Sequence, residues 1–297
     1  GVIRDSTIAG NGADRNGAGV FVVDGALTVE RTVVSGNTAG ESGGGIYSED
    51  NVTIDQSTIT NNAATDYVGG GLALFDGTHV ITNSTISGNT AGHNGGGAFV
   101  MWGDATFNNV TISDNDGDSG GGLFFYSVSA AVNGSVTLNR TLISGNRAHN
   151  AGDEVLAENA TITANNFNLF GHSGINNAVA FSGFTPGATD ITATSDGTEP
   201  TALAGILAGL ADNGSTNGLL ETHALVANSP ALDRGPNAAC TAAPVNNVDE
   251  RDEARNQNGI GAASANECDV GAYEYVATPT VGICPAPGNE LTTVLGT

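Results

Sequence analysis

The chain has 297 residues, 31 acidic against 8 basic, and a net charge of −23; every base is an arginine. A polymer this acidic repels polyphosphate and has no basic stripe whose counterion release would drive binding, which excludes nucleic acid as a partner. No run of roughly 18 apolar residues is present to form a membrane-spanning helix.

From the first residues onward the sequence repeats itself. Glycine clusters end at Gly19, Gly45, Gly71, Gly97 and Gly122, spaced 26, 26, 26 and 25 residues apart, and each precedes a short apolar run. Asn11, Asn37, Asn62, Asn89, Asn115 and Asn146 keep step with them. A period of this size means a repeat architecture. Three positions before the Asn stand Ile8, Val34, Ile59, Ile86, Ile112 and Ile143; eight before it stand Val29, Ile54, Ile81, Phe107 and Leu138. Apolar residues spaced by two among Thr, Ser and Asn read as half-buried strands, about three per unit. One such unit cannot bury its own apolar face, so the units stack about 4.8 Å apart. The expected fold is all-β: a right-handed parallel β-helix of about 26 residues per coil. Glycine supplies positive φ at the corners, and the recurrent Asn predicts a ladder of side-chain amides.

Regular coils are expected over residues 1–166, with a stretched fifth unit whose loop protrudes near Ser127–Gly134. Gly1 falls inside a repeat, so a fragment or processed product is expected. Residues 167–297 read as irregular coils and a C-terminal cap, with Ala202–Ala211 as the one short helix. The three cysteines, Cys240, Cys268 and Cys284, cluster near the end. A Cys240–Cys268 disulfide would tie that cap, leave Cys284 spare and imply an oxidising compartment.

Chemistry is sparser. Asp114, Asp116 and Asp118 alternate around Gly117 like half of a calcium loop, though Phe125 stands where such a loop ends in Glu. Ca2+ is therefore the candidate cofactor, against a bland reading in which the acids decorate a turn. Outward strand positions carry Thr28, Thr53, Val80, Thr106 and Thr137, and on the next strand Thr7, Thr58, Thr85 and Thr111, which are small and unreactive. Glycan cleavage needs facing carboxylates, or a base beside calcium, stacked on one face; no such cluster is legible. Phe21, Tyr47, Phe99 and Phe124 share the second position after the glycines, with Ala73 breaking the row. They are expected to point outward, either as a contact strip for a sugar face or a neighbouring subunit or as a face that the C-terminal tail folds over. His79 falls at an inward position and reads as a neutral core imidazole.

The paired Gly-Gly-Gly-Leu/Ile and Ile-Ser-x-Asn signals resemble the repeats of chlamydial polymorphic outer-membrane proteins and related bacterial surface proteins. Leu210–Thr216, Asn228–Gly235, Asp249–Asp252 and Cys268–Glu274 together resemble the choice-of-anchor Q domain, departing from it at Asp252 and Ser215, where glycine is usual. That resemblance implies an exported protein with a surface-anchoring signal beyond the domain, and it brings no catalytic residues. Within the motif, Asp233 or Asp269 is expected to pair with Arg251. The expected function is a non-catalytic extracellular structural or adhesive protein. Its partners would be glycans or further copies of itself stacked head-to-tail into fibres. The alternative is a calcium-dependent lyase or hydrolase acting on acidic glycans.

Overall fold

The computed structural model describes residues 1–128, 134–255 and 267–276. Cys284 and most of the loop at 127–134 lie outside the described residues. Each coil carries four strands rather than three, and like strands from successive coils pair in parallel. Sheet A runs from Val2–Arg4 to Ile162–Ala164, and sheet B from Thr7–Ala9 to Ile191–Thr192. Sheet C runs from Gly12–Ala13 to Arg147–Ala151, and sheet D from Val20–Val22 to Phe181–Ser182. Sheet C escapes a periodicity reading because most of its strands are two residues long, such as Thr38–Ala39 and Ala63–Ala64.

The core is a set of columns. Val29, Ile54, Ile81, Phe107 and Leu138 stack in register from sheet A, and Val34, Ile59, Ile86, Ile112 and Ile143 from sheet B. Sheet D closes the interior with Ile46, Leu72, Ala98, Leu123 and Val155; all these side chains are buried. Parallel strands hold like residues at one spacing, so apolar side chains of successive coils pack directly on one another. His79 sits in this core with Nε2 2.6 Å from the Asp76 carbonyl, and burial depresses its pKa, which keeps it neutral. The corner glycines are there for space. A Cβ on Gly45 would lie 2.6 Å from the Gly71 carbonyl and 3.1 Å from the Asn62 amide.

Past residue 166 the coil loosens. Leu169–Phe170 and Ile191–Thr192 still extend sheet B, and Phe181–Ser182 extends sheet D. The following segment doubles back over sheet B, from Asn217, whose amide reaches the Arg31 carbonyl, to Gly271, whose N–H reaches the Arg140 carbonyl. The helix expected at 202–211 is not formed. Leu203–Gly205 is one 3₁₀ turn, and Leu207–Ala211 is a strand paired antiparallel with Thr222–Leu225. Gly205 and Gly209 weaken a helix there, and the hairpin places Ile206, Leu207 and Leu225 in a small core shared with Leu142 and Val270. Short helices form instead at Asn177–Ala180 and Asn237–Thr241. The second carries Cys240 into the expected disulfide with Cys268.

Candidate functional site

The Asn ladder is continuous. Asn37, Asn62, Asn89, Asn115 and Asn146 each accept at Oδ1 from the backbone N–H and the side-chain amide of the preceding Asn, beginning at Asn11, at 2.9–3.1 Å. Each Nδ2 from Asn37 onward also donates to a carbonyl of the previous coil, from Ile8, Val34, Ile59, Ile86 and Ile112. The column ends on Glu154, which occupies the position of the last glycine in the earlier coils. Its carboxyl accepts from Asn146 N and Nδ2 and from Gly145 N at 2.7–3.2 Å. Burial pushes its pKa up to about 8 against the pull of those donors. A second, shorter ladder was invisible in the sequence pattern. Backbone N–H groups of Ser6, Thr32 and Ser57 bond the hydroxyl one coil on, Val110 interrupts the column, and Thr141, Asn168 and Asp190 finish it. Only the spacing of small hydroxyl residues five before the Asn could have revealed it.

Sheet B is the covered face. Thr58 and Thr85 hydroxyls donate to Glu250 at 2.8 and 2.5 Å, and Thr111 Oγ1 accepts from Ala272 N at 2.9 Å. Glu250 is wholly buried, and burial holds its carboxyl well above the usual range. The expected pairing of Arg251 with Asp233 or Asp269 is corrected. Arg251 bonds Asp249 at 2.6 Å and lies 3.7 Å over the Tyr273 ring. Asp269 instead accepts the N–H groups of Asp233 and Tyr275. Local geometry decides this, because Asp249 is two residues from Arg251 and its other oxygen already caps the turn at Arg251 N and Glu253 N. Arg255, fully buried, reaches Glu274 at 3.5 Å, Asn83 Oδ1 at 3.2 Å and the Gly271 carbonyl at 2.9 Å.

One contact in this interface has the composition of a hydrolytic triad without its geometry. Ser87 Oγ lies 2.8 Å from His223 Nε2, and Asp114 lies 3.9 Å from the same nitrogen, while Nδ1 faces the Ala208 carbonyl. A triad needs the acid on Nδ1 and an accessible hydroxyl. Here Ser87 and His223 are both buried, so the pair is a docking contact.

The three candidate calcium ligands do not converge. Asp114 takes a left-handed φ of 58°, the conformation of Gly10, Gly36, Asn61, Gly88 and Gly145 at equivalent corners. Asp116 pairs with His149 at 2.9 Å and Arg147 at 3.6 Å. Among the described residues no three His, Cys, Asp or Glu side chains are grouped to hold a metal. Turn chemistry accounts for Asp114, and sheet C pairing for Asp116.

Sheet D faces outward with the aromatic row in register: Phe21, Tyr47, Ala73, Phe99, Phe124 and Leu156. The expected exposed strip is overturned for three of its four rings. Phe21 is 52% exposed, but Tyr47, Phe99 and Phe124 are 7%, 5% and 2%. The rings cover one another, Phe21 on Tyr47 at 5.1 Å and Phe99 on Phe124 at 5.5 Å between centroids. Phe75 bridges the gap at Ala73, 5.2 Å from Tyr47 and 5.7 Å from Phe99. Beside this column lies a groove of about 410 Å³. Tyr67 and Val68, on the corner before the strands, form one wall; Phe75, Met101 and Tyr126, at the strand ends, form the other. Asn16, Glu41, Ser42, Asn94 and Glu158 supply its polar groups. Among the described residues, none of the folded-back segment lines it.

A family model described as a right-handed β-helix region matches residues 1–169. The chain belongs to that family. No curated protein matches the chain, and no solved structure does. In this right-handed β-helix protein the buried acids are thus used within the fold. Glu154 ends a ladder, and Asp249, Glu250, Asp269 and Glu274 hold the folded-back segment. Among the described residues, the groove on sheet D combines apolar walls with convergent polar groups, the combination that marks a binding site.

Proposed function

We propose that this β-helix protein is an exported, non-catalytic structural and adhesive rod that binds its partner through sheet D. The observation that carries the reading is the division of the two outer faces among the described residues: the C-terminal segment covers sheet B, and none of it covers the apolar groove of sheet D. The Cys240–Cys268 disulfide supports an oxidising compartment. The resemblance of the segment from Leu210 to Glu274 to the choice-of-anchor Q domain supports a surface location, with anchoring through a signal beyond it. Thr28, Thr53, Thr106 and Thr137 on sheet A are outward, small and unreactive, which suits a scaffold face.

The test is retention without turnover. The purified chain is incubated with acidic and neutral polysaccharides, with calcium and with chelator, and both bound protein and new chain ends are scored. Retention with no new ends is expected. New ends that vanish with chelator would replace this reading with a calcium-dependent lyase.

A further inference from the structure

We infer that the sheet D groove takes a linear, uncharged glycan lying along the axis of the coil stack. The inference rests on the adhesive reading above and names its ligand class. Three features of the groove carry it.

The first is shape. The lining runs from Asn16 in the first coil to Glu158 in the sixth, five coil spacings or about 24 Å. That is a track for an extended polymer. The second is the kind of contact on offer. Every strand of sheet D between Ile46–Ser48 and Val155–Glu158 is hydrogen-bonded on both sides, so no free sheet edge is available to an extended peptide. What remains is apolar wall with amide, hydroxyl and carboxylate groups at the rim. This matches a pyranose chain, whose ring faces are apolar and whose edges carry hydroxyls. The wall with the most open ring is Tyr67, 59% exposed.

The third feature is charge. Among the described residues the lining holds two acids, Glu41 and Glu158, and no arginine. Arg15 does reach Glu41, at 3.1 Å, but from an exposed position that solvent screens. On a chain of net charge −23 such a groove repels uronates and sulfated sugars. Carboxylates are strong acceptors for sugar hydroxyls, so the same two acids favour a neutral chain.

Calorimetry with cellohexaose, xylohexaose, mannohexaose and hexagalacturonate tests this, read alongside the fluorescence of Trp102, the chain's single tryptophan, whose ring lies 6.4 Å from Phe75. At least one neutral hexasaccharide should bind, with hexagalacturonate silent. Tyr67→Ala should weaken binding about fivefold or more, as expected for loss of one aromatic wall. Its melting temperature checks that the fold persists. Glu41→Lys with Glu158→Lys should shift preference toward hexagalacturonate. Failure of every neutral sugar to bind, indifference to Tyr67→Ala, or tighter binding of hexagalacturonate by the native chain would each overturn the inference. Tyr67-dependent capture of a mixed decapeptide library with no sugar bound would also do so. New chain ends, by contrast, would overturn the non-catalytic reading and leave a neutral-glycan groove standing.

Discussion

The coil stack and the segment folded over it both bury polar groups, and they satisfy them in opposite ways. In the stack, neutral amides repeat once per coil, and each Asn bonds the next coil and the one before. Loss of one rung leaves the neighbouring coils intact, because each coil contacts only its neighbours. In the folded-back segment a few ionisable groups do the same task once. Arg251, Arg255, Asp249, Glu250, Asp269 and Glu274 are all buried within a single interface. Each depends on the others, so the segment should fail as a unit while the stack fails locally.

The sharpest way to break that contrast is Arg255→Met. It takes the cationic partner from buried Glu274 and the Arg255 donor from Asn83 Oδ1, at a cost of about 3–5 kcal/mol. The segment should become protease-sensitive between residues 200 and 276 while the far-ultraviolet circular dichroism of the coils persists. Loss of both signals together would mean that stack and segment form one cooperative unit.

Both regions also hold buried acids, which ties their stability to pH. Glu154 has a folded pKa raised by burial to about 8, above its unfolded value. The folded state therefore holds a proton that the unfolded state releases. Stability is full below about pH 4.5 and falls as pH rises to 8, by at most about 1.4 kcal/mol per unit. Glu154→Gln should flatten that slope in urea melts of the coils. A slope unchanged by the substitution would assign the pH dependence to Asp55, Glu250 and Asp269, whose carboxyls burial also raises.

Reduction of Cys240–Cys268, which spans 28 residues, should cost about 2–4 kcal/mol. It should again loosen the folded-back segment alone, which limited proteolysis with and without dithiothreitol would detect. The smallest effects belong to the ladder. Asn89→Ala removes bonds to Ile59, Asn62 and Asn115 in a fully buried setting and should cost about 2 kcal/mol, whereas Asn11→Ala, at the exposed first rung, should cost about 0.5 kcal/mol. Equal costs in denaturant melts would argue against a ladder whose strength comes from burial.

Some of this was legible residue by residue. The Asn positions predicted the ladder, the period of 26 predicted the parallel stack, and the clustered cysteines predicted the disulfide. The fourth strand was hidden because a two-residue strand such as Thr38–Ala39 has no measurable period. The aromatic row was read correctly as outward, but its burial was not. Whether Tyr47 and Phe99 meet solvent depends on Phe75, two residues along the strand from Ala73, and, for Phe99, on Val68 from another corner. The acids of Asp114–Asp118 looked like ligands by type, yet the positive φ of Asp114 and the strand pairing of Asp116 point them to different neighbours.

By itself, then, the sequence determined what depends on short-range repetition: the strands, the corners, the coil period and the amide column, because each is set by residues within one coil and its copy in the next. Only the tertiary structure decided which face stays open. Across more than 150 residues of chain, the Asp249 backbone carbonyl accepts from Gln56 and Arg255 donates to Asn83 on the corner before sheet B, while Glu250 accepts from Thr85 within it. No local pattern encodes which of the outward rows such a segment covers; that follows from where its charges find hydroxyl and amide partners once the coils have stacked.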